Sequence, residues 1–338
     1  MEEKIKKMIE DFKLEAGKRL IGQENLICDI LMAFIAGGHI LLEGVPGLAK
    51  TLSVKTIAEI LGLEFKRIQF TPDLLPADIT GTLIYEQNKG VFSARKGPLF
   101  SNIILADEVN RAPAKVQSAM LEAMEERHIT IGEETFNLPE PFFVLATQNP
   151  IEQEGTYNLP EAELDRFLMK LVVDYPVAED EIKIVASCGN APSIPVKQIL
   201  SSADLKLLKK TYENINCDEK ILKYIVSVLN VTRPKSEKKS VNQHNFRENH
   251  NSVNFKAKSN DITRYIQMGA SPRAGIAVIQ CAKVNAMFEG RDFVLPEDVK
   301  KVACNVLRHR IILSYEAAAD NVSSDEIILN ILDFIPVP

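Results

Sequence analysis

HILLEGVPGLAKT, from His39 to Thr51, is the stretch on which the reading of the chain turns. His39 to Glu43 reads as a short apolar strand. Gly44-Val45-Pro46-Gly47-Leu48-Ala49-Lys50-Thr51 follows as a glycine-bearing loop, and helical spacing then runs from Leu52 to Leu61. Strand, glycine loop and helix in that order form a phosphate-binding unit. The N–H groups of such a loop converge on an anion, and the helix N-terminus adds partial positive charge. Lys50 is placed to reach the outer phosphates of a nucleoside triphosphate, and the Thr51 hydroxyl to hold Mg²⁺. Ala49 stands where the general pattern G-x-x-x-x-G-K-[ST] has glycine. Alanine is small and a helical backbone there needs no positive φ, so the loop tolerates it. A plain glycine turn leading into a lysine-bearing helix fits the same letters, so the rest of the chain has to decide.

The second motif is Ile103-Ile-Leu-Ala-Asp107-Glu108. An apolar run ending in two acids reads as a buried parallel strand that delivers carboxylates to its C-terminal edge. Asp107 is then the Mg²⁺-binding acid and Glu108 the group that polarises an attacking water. Further strands are expected at Glu64–Phe70, Pro141–Thr147 and Leu168–Val173, with helices between them. The strand ending at Thr147 runs into Gln148-Asn149-Pro150, where an amide could orient water or simply serve a turn. Hairpins are expected at residues 82–93 and 127–138. A helix from about Asn25 to Ala36 precedes the loop strand. Ile21 and Gly22, just before it, read either as neighbours of a nucleotide base or as a turn. Arg166, beside Asp165, reads by itself as one half of a surface ion pair.

The 338 residues, 46% apolar and 25% charged, suit a globular protein of two domains. A net charge of −6 argues against a general coat for nucleic acid or anionic membrane. No apolar run approaches the roughly 20 residues of a membrane span. The charged first helix, MEEKIKKMIEDFK, lacks a signal-peptide centre, so a cytoplasmic protein is expected. Five scattered cysteines form no C-x-x-C pair and are expected to be reduced. Pro176 marks the expected boundary between residues 1–176, an α/β core, and residues 177–338, whose pattern is helical throughout. Residues 233–260 interrupt that pattern. They carry seven basic and two acidic residues, a net of +5, with few apolar ones, and are expected to form a disordered loop.

GVPGLAKT, TPDLLPADITG, ADEVNRAPAKVQSAMLEAMEER, ATQNP, EGTYNLPEAELDRF and GASPRA together resemble the MoxR branch of the AAA+ ATPases. The resemblance spans Arg19 to about Leu313, apart from the polar insertion, and Ala49 is usual within it. It implies a five-stranded parallel sheet between helices, followed by an all-α lid, with ATP and Mg²⁺ as cofactors. It also implies roles that spacing does not supply. Asn149 matches a first sensor, Arg166 an arginine finger reaching a neighbouring subunit, and Arg273 a second sensor at the start of a lid helix. The implied assembly is a homo-oligomeric ring, usually a hexamer. The implied work is chaperone-like maturation of protein clients, often with partners carrying von Willebrand factor A domains. Two other readings stand beside it: a nucleic-acid remodeller, disfavoured by the acidity of the chain, and a nucleotide-dependent scaffold that does not hydrolyse.

Overall fold

The computed structural model describes residues 2–45, 50–88, 90–150, 156–186, 194–233 and 263–338. The chain divides into two compact units. One comprises residues 1–215 with 284–292, and the other residues 216–283 with 293–338.

The first unit is built on a parallel five-stranded sheet. Its strands are β1 (Ile40–Glu43), β2 (Phe65–Gln69), β5 (Ile103–Asp107), β8 (Phe143–Gln148) and β9 (Met169–Val172), in the spatial order β2-β5-β8-β1-β9. Residues 103–106 of β5 and 143–147 of β8 are fully buried. A sheet covered on both faces needs such unbroken apolar runs, which is why they read so plainly in the sequence. Helices α1 (Glu2–Gly17), α2 (Glu24–Ala36), α3 (Lys50–Leu61), α4 (Pro76–Thr80) and α5 (Ala114–Glu126) supply the cover. Val116, Met120 and Met124 of α5 join Leu41, Ile104 and Val144 of the sheet in one core cluster. Burying a side chain of that size contributes roughly 1.5–3 kcal/mol.

Both expected hairpins are present. β3 (Gly81–Glu86) pairs antiparallel with β4 (Val91–Lys96), and β6 (His128–Ile131) with β7 (Glu134–Asn137). The short helix α6 (Glu161–Leu164) precedes β9. The boundary expected at Pro176 lies inside the first unit, because the chain after it returns to the sheet layer. The Ile199 N–H donates to Ile60 O at 2.9 Å, the Lys197 N–H donates to Glu15 Oε1 at 2.8 Å, and Leu200 is fully buried. Helices α7 (Ala178–Ala186) and α8 (Ser202–Glu213) therefore belong with the sheet, α8 packing on α2.

His39, just before β1, is buried and bonded at both ring nitrogens. Its Nδ1 accepts the Val144 N–H at 3.0 Å, and its Nε2 faces Met124 O at 3.2 Å. Burial, with the Arg127 charge nearby, pushes its pKa down to about 3, so it stays neutral.

In the second unit, helices α9 (Glu219–Thr232), α11 (Pro296–Leu307) and α13 (Ser324–Phe334) pack together; α10 (Pro272–Phe288), of which residues 272–283 fall in this unit, precedes α11, and the short α12 (Tyr315–Ala319) precedes α13. The helical pattern carries one small addition, an antiparallel pairing of β10 (Ile266–Met268) with β11 (Ile312–Leu313). The insertion expected at 233–260 lies, after Arg233, outside the described residues. Among the described residues no helix is long and apolar enough to cross a membrane. Cys28, Cys217, Cys281 and Cys304 take part in no disulfide.

Candidate functional site

Asp107 and the start of the phosphate loop lie at the C-terminal edge of the parallel sheet, where open α/β sheets bind ligands, with Glu108 and Asn149 directly after its strands. Three adjacent strands end there: β1 at Glu43, β5 at Asp107 and β8 at Gln148. The Gly44 N–H bonds to Gln148 O at 3.5 Å, so the loop leaves β1 beside the end of β8. Gly44 has no room for a side chain, since a Cβ there would lie 2.9 Å from Val173 O. Val45 continues the loop, and Pro46, Gly47, Leu48 and Ala49 lie outside the described residues.

Lys50 and Thr51 open α3. The Lys50 ammonium donates to Gly44 O at 2.5 Å, folding the side chain back over the loop. Its pKa is lowered by burial, while the charges of Asp107, Glu108 and Glu43 act in the opposite direction. A half-buried cation among three carboxylates is suited to exchange them for a polyanion. The turn holding Ile21 and Gly22 reaches the same helix end: Ser53 Oγ, on the first turn of α3, donates to Gln23 Oε1 at 3.0 Å. Gly22 has a φ of +72°, and a side chain there would meet the Asp180 carboxylate of α7 at 2.6 Å.

Asp107 and Glu108 are joined by one hydroxyl. Thr147 Oγ1 donates to Asp107 Oδ1 at 2.6 Å and accepts the Glu108 N–H at 2.9 Å. Glu108 itself sits in the left-handed region, with φ 58° and ψ 51°, a conformation a non-glycine residue adopts at a cost of roughly 1–2 kcal/mol. Its carboxylate oxygen Oε2 accepts from Gln69 Nε2 at 2.7 Å and lies 3.2 Å from Arg111 Nη1. Asp107 Oδ2 accepts from Arg67 Nε at 3.0 Å and from Arg67 Nη2 at 2.6 Å. The same Nη2 donates to Gln69 Oε1 at 2.6 Å. The reading of the sequence missed Arg67, Gln69, Thr147 and Arg111. One signal was available: Arg67 and Gln69 alternate as polar residues along a strand, and so share a face.

Asn149 follows β8, is 5% exposed, and stands next to the carbonyl that receives the Gly44 N–H. Arg166 lies just past α6, 32% exposed on its side chain, with Nε 3.0 Å from Glu125 Oε2 of α5. Its acidic partner is thus Glu125 rather than the adjacent Asp165. Arg273 is the second residue of α10, in the other unit.

The oxygen donors suit a small hard cation. Asp107 is a carboxylate on the sheet edge, and Thr51 offers a hydroxyl one residue past the phosphate-loop lysine. Among the described residues no cluster of three His, Cys, Asp or Glu could cage a metal unaided. Mg²⁺ does not need one, because it takes one or two protein oxygens and completes its shell with phosphates and water.

Comparison with known proteins agrees with this geometry. Residues 39–169 match the ATPase family associated with various cellular activities (AAA), and residues 259–331 match the AAA lid domain. The chain is 45% identical to the chaperone MoxR1 of Mycobacterium tuberculosis over 96% of its own length and 81% of that protein. It is 39% identical to YeaC of Bacillus subtilis, covering 94% of this chain and 91% of the relative. The crystal structure of an ATPase candidate from Cytophaga hutchinsonii superposes with a TM-score of 0.86. That protein is 45% identical, and the match covers 100% of this chain and 97% of the other.

Proposed function

This chain belongs to the MoxR family of AAA+ ATPases, and from that premise we propose that it hydrolyses ATP with Mg²⁺ to remodel or mature partner proteins. The observation that carries the reading is the Lys50–Asp107–Glu108 cluster at one sheet edge, completed by the Thr147 joint. Phosphoryl transfer needs little covalent help from a protein and much positioning and charge stabilisation.

Lys50 exchanges the Gly44 carbonyl for the outer phosphates, while loop N–H groups and the start of α3 hold the rest of the chain of phosphates. Thr51 and Asp107 hold Mg²⁺, which neutralises charge on the phosphate oxygens when bound. Glu108 polarises the attacking water, and Asn149 orients it or touches the terminal phosphate. Gly44, Val45, Pro46, Gly47, Leu48 and Ala49 form the cradle, with Ile21 and Gly22 beside the base. Arg166 serves the site of a neighbouring copy in a ring, expected to be hexameric, and Arg273 takes the role of a second sensor. The work is cytoplasmic, with von Willebrand factor A-domain proteins as the expected partners.

The test is a pair of variants. Lys50→Ala should lose ATP binding. Glu108→Gln should bind ATP and turn it over at least ~10²-fold more slowly, the range of a lost general base. A Glu108→Gln protein hydrolysing at the wild-type rate removes Glu108 from its role. Affinity capture with the same variant then identifies the clients held in the ATP state.

A further inference from the structure

Arg67 is linked to both acids of the site, directly to Asp107 and through Gln69 to Glu108. It gives two hydrogen bonds to Asp107 Oδ2 and one to Gln69 Oε1. The last bond fixes which way the Gln69 amide faces. With its oxygen on the guanidinium, its NH₂ must point at Glu108 Oε2, 2.7 Å away. The reversed amide would set N–H against N–H and oxygen against carboxylate. A continuous path thus runs from Asp107 through Arg67 and Gln69 to Glu108. Arg67 and Gln69 lie on β2 and Asp107 ends β5, the two strands pairing in register with Gln69 opposite Asp107, and Glu108 follows directly.

We infer that Arg67 is a positioning residue that makes the freedom of Glu108 depend on metal at Asp107. The inference rests on the reading of Asp107 as the metal ligand and Glu108 as the base. The Arg67 guanidinium sits on one Asp107 carboxylate oxygen and the Thr147 hydroxyl on the other, so a divalent cation held by Asp107 would compete with a positive group at the same carboxylate, and two cations repel there. A guanidinium that gives up Asp107 no longer holds the Gln69 oxygen. The amide is then free to rotate, and Glu108 loses one of its donors. Without metal, the path holds Glu108 as a hydrogen-bonded acceptor; with metal, the same carboxylate turns to water. Arg67 is 48% exposed on its side chain and lies on an edge strand, so its removal leaves the core intact.

The experiment measures Mn²⁺ binding by electron paramagnetic resonance, on the full chain with saturating ATPγS. Arg67→Ala should bind Mn²⁺ about fivefold more tightly than wild type, the worth of a partly exposed ion pair. Arg67→Lys, which keeps the competing charge, should stay within about twofold. A structural role alone predicts weaker Mn²⁺ binding or none of this difference, and either result overturns the inference. ATPγS binding without metal should be unchanged in Arg67→Ala; its loss would make Arg67 a phosphate ligand and also overturn the inference. In turnover, Gln69→Ala and Arg67→Ala should be non-additive, the double variant behaving as either single one, whereas additive effects would break the path. Asp107→Asn separates the premise from the inference. If it binds Mn²⁺ as wild type does, the metal-site reading itself fails.

Discussion

Acid should weaken this protein through His39. The buried ring is held neutral with its pKa near about 3, against 6.5 for an ordinary histidine. In the unfolded chain the same ring takes up a proton below pH ~6.5. The unfolded state therefore binds more protons between those two values, and stability rises with pH across that window. The contribution is fully present above pH ~6.5 and is lost as pH falls from there towards 3. At ~1.4 kcal/mol per pH unit, the loss by pH 5 is about 2 kcal/mol. Urea unfolding of wild type and His39→Gln at pH 8, 6.5 and 5 isolates the term, because other titrating groups are common to both. The variant starts less stable, having lost the fitted bonds of the two ring nitrogens to Val144 N–H and Met124 O. Wild type should nevertheless lose about 2 kcal/mol more than the variant between pH 8 and pH 5. Equal losses would refute the argument, as would a histidine-selective NMR titration showing the His39 ring protonated at pH 5.

The trans role proposed for Arg166 predicts complementation. Arg166→Ala should bind ATP and turn it over ~10³-fold more slowly, and Lys50→Ala should be inactive, yet mixed rings verified by native mass spectrometry should regain activity. Mixed rings that assemble and stay inactive count against the assignment. Thr147→Val keeps the volume of a buried residue but strands the Glu108 N–H and removes a donor from Asp107. It should cost about 1–3 kcal/mol, read as a fall of several degrees in Tm, together with a drop in kcat. A Tm within a degree of wild type would show the joint to be dispensable.

The parts legible in the sequence were those set by local pattern. Ile103–Ala106 and Phe143–Ala146 are apolar without break, as a strand covered on both faces needs. Lys50 and Thr51 announced themselves by spacing to Gly44. Arg67 and Gln69 did not, because their importance depends on β2 lying beside β5. That pairing joins residues about 40 positions apart, and nothing in EFKRIQF states it. Arg166 has an aspartate next door in sequence, but the fold offers it Glu125 from α5. Pro176 looked like a boundary because proline after a strand stops the local pattern. The bonds from Lys197 to Glu15 and from Ile199 to Ile60 that carry the chain back are tertiary. The strands at 266–268 and 312–313 are too short to leave any periodicity.

Glu108 combines two demands on one Cα. Its side chain is the base of the proposed reaction, while its backbone is left-handed, a region that glycine and asparagine occupy more cheaply. Replacing it with glycine relieves a strain worth roughly 1–2 kcal/mol. A directed-evolution campaign scored on heat resistance alone would therefore be drawn towards this position and would return hardier, inert proteins. The safe route to a more robust protein is to leave Glu108 unscreened and look for gains on exposed helix faces away from the sheet edge.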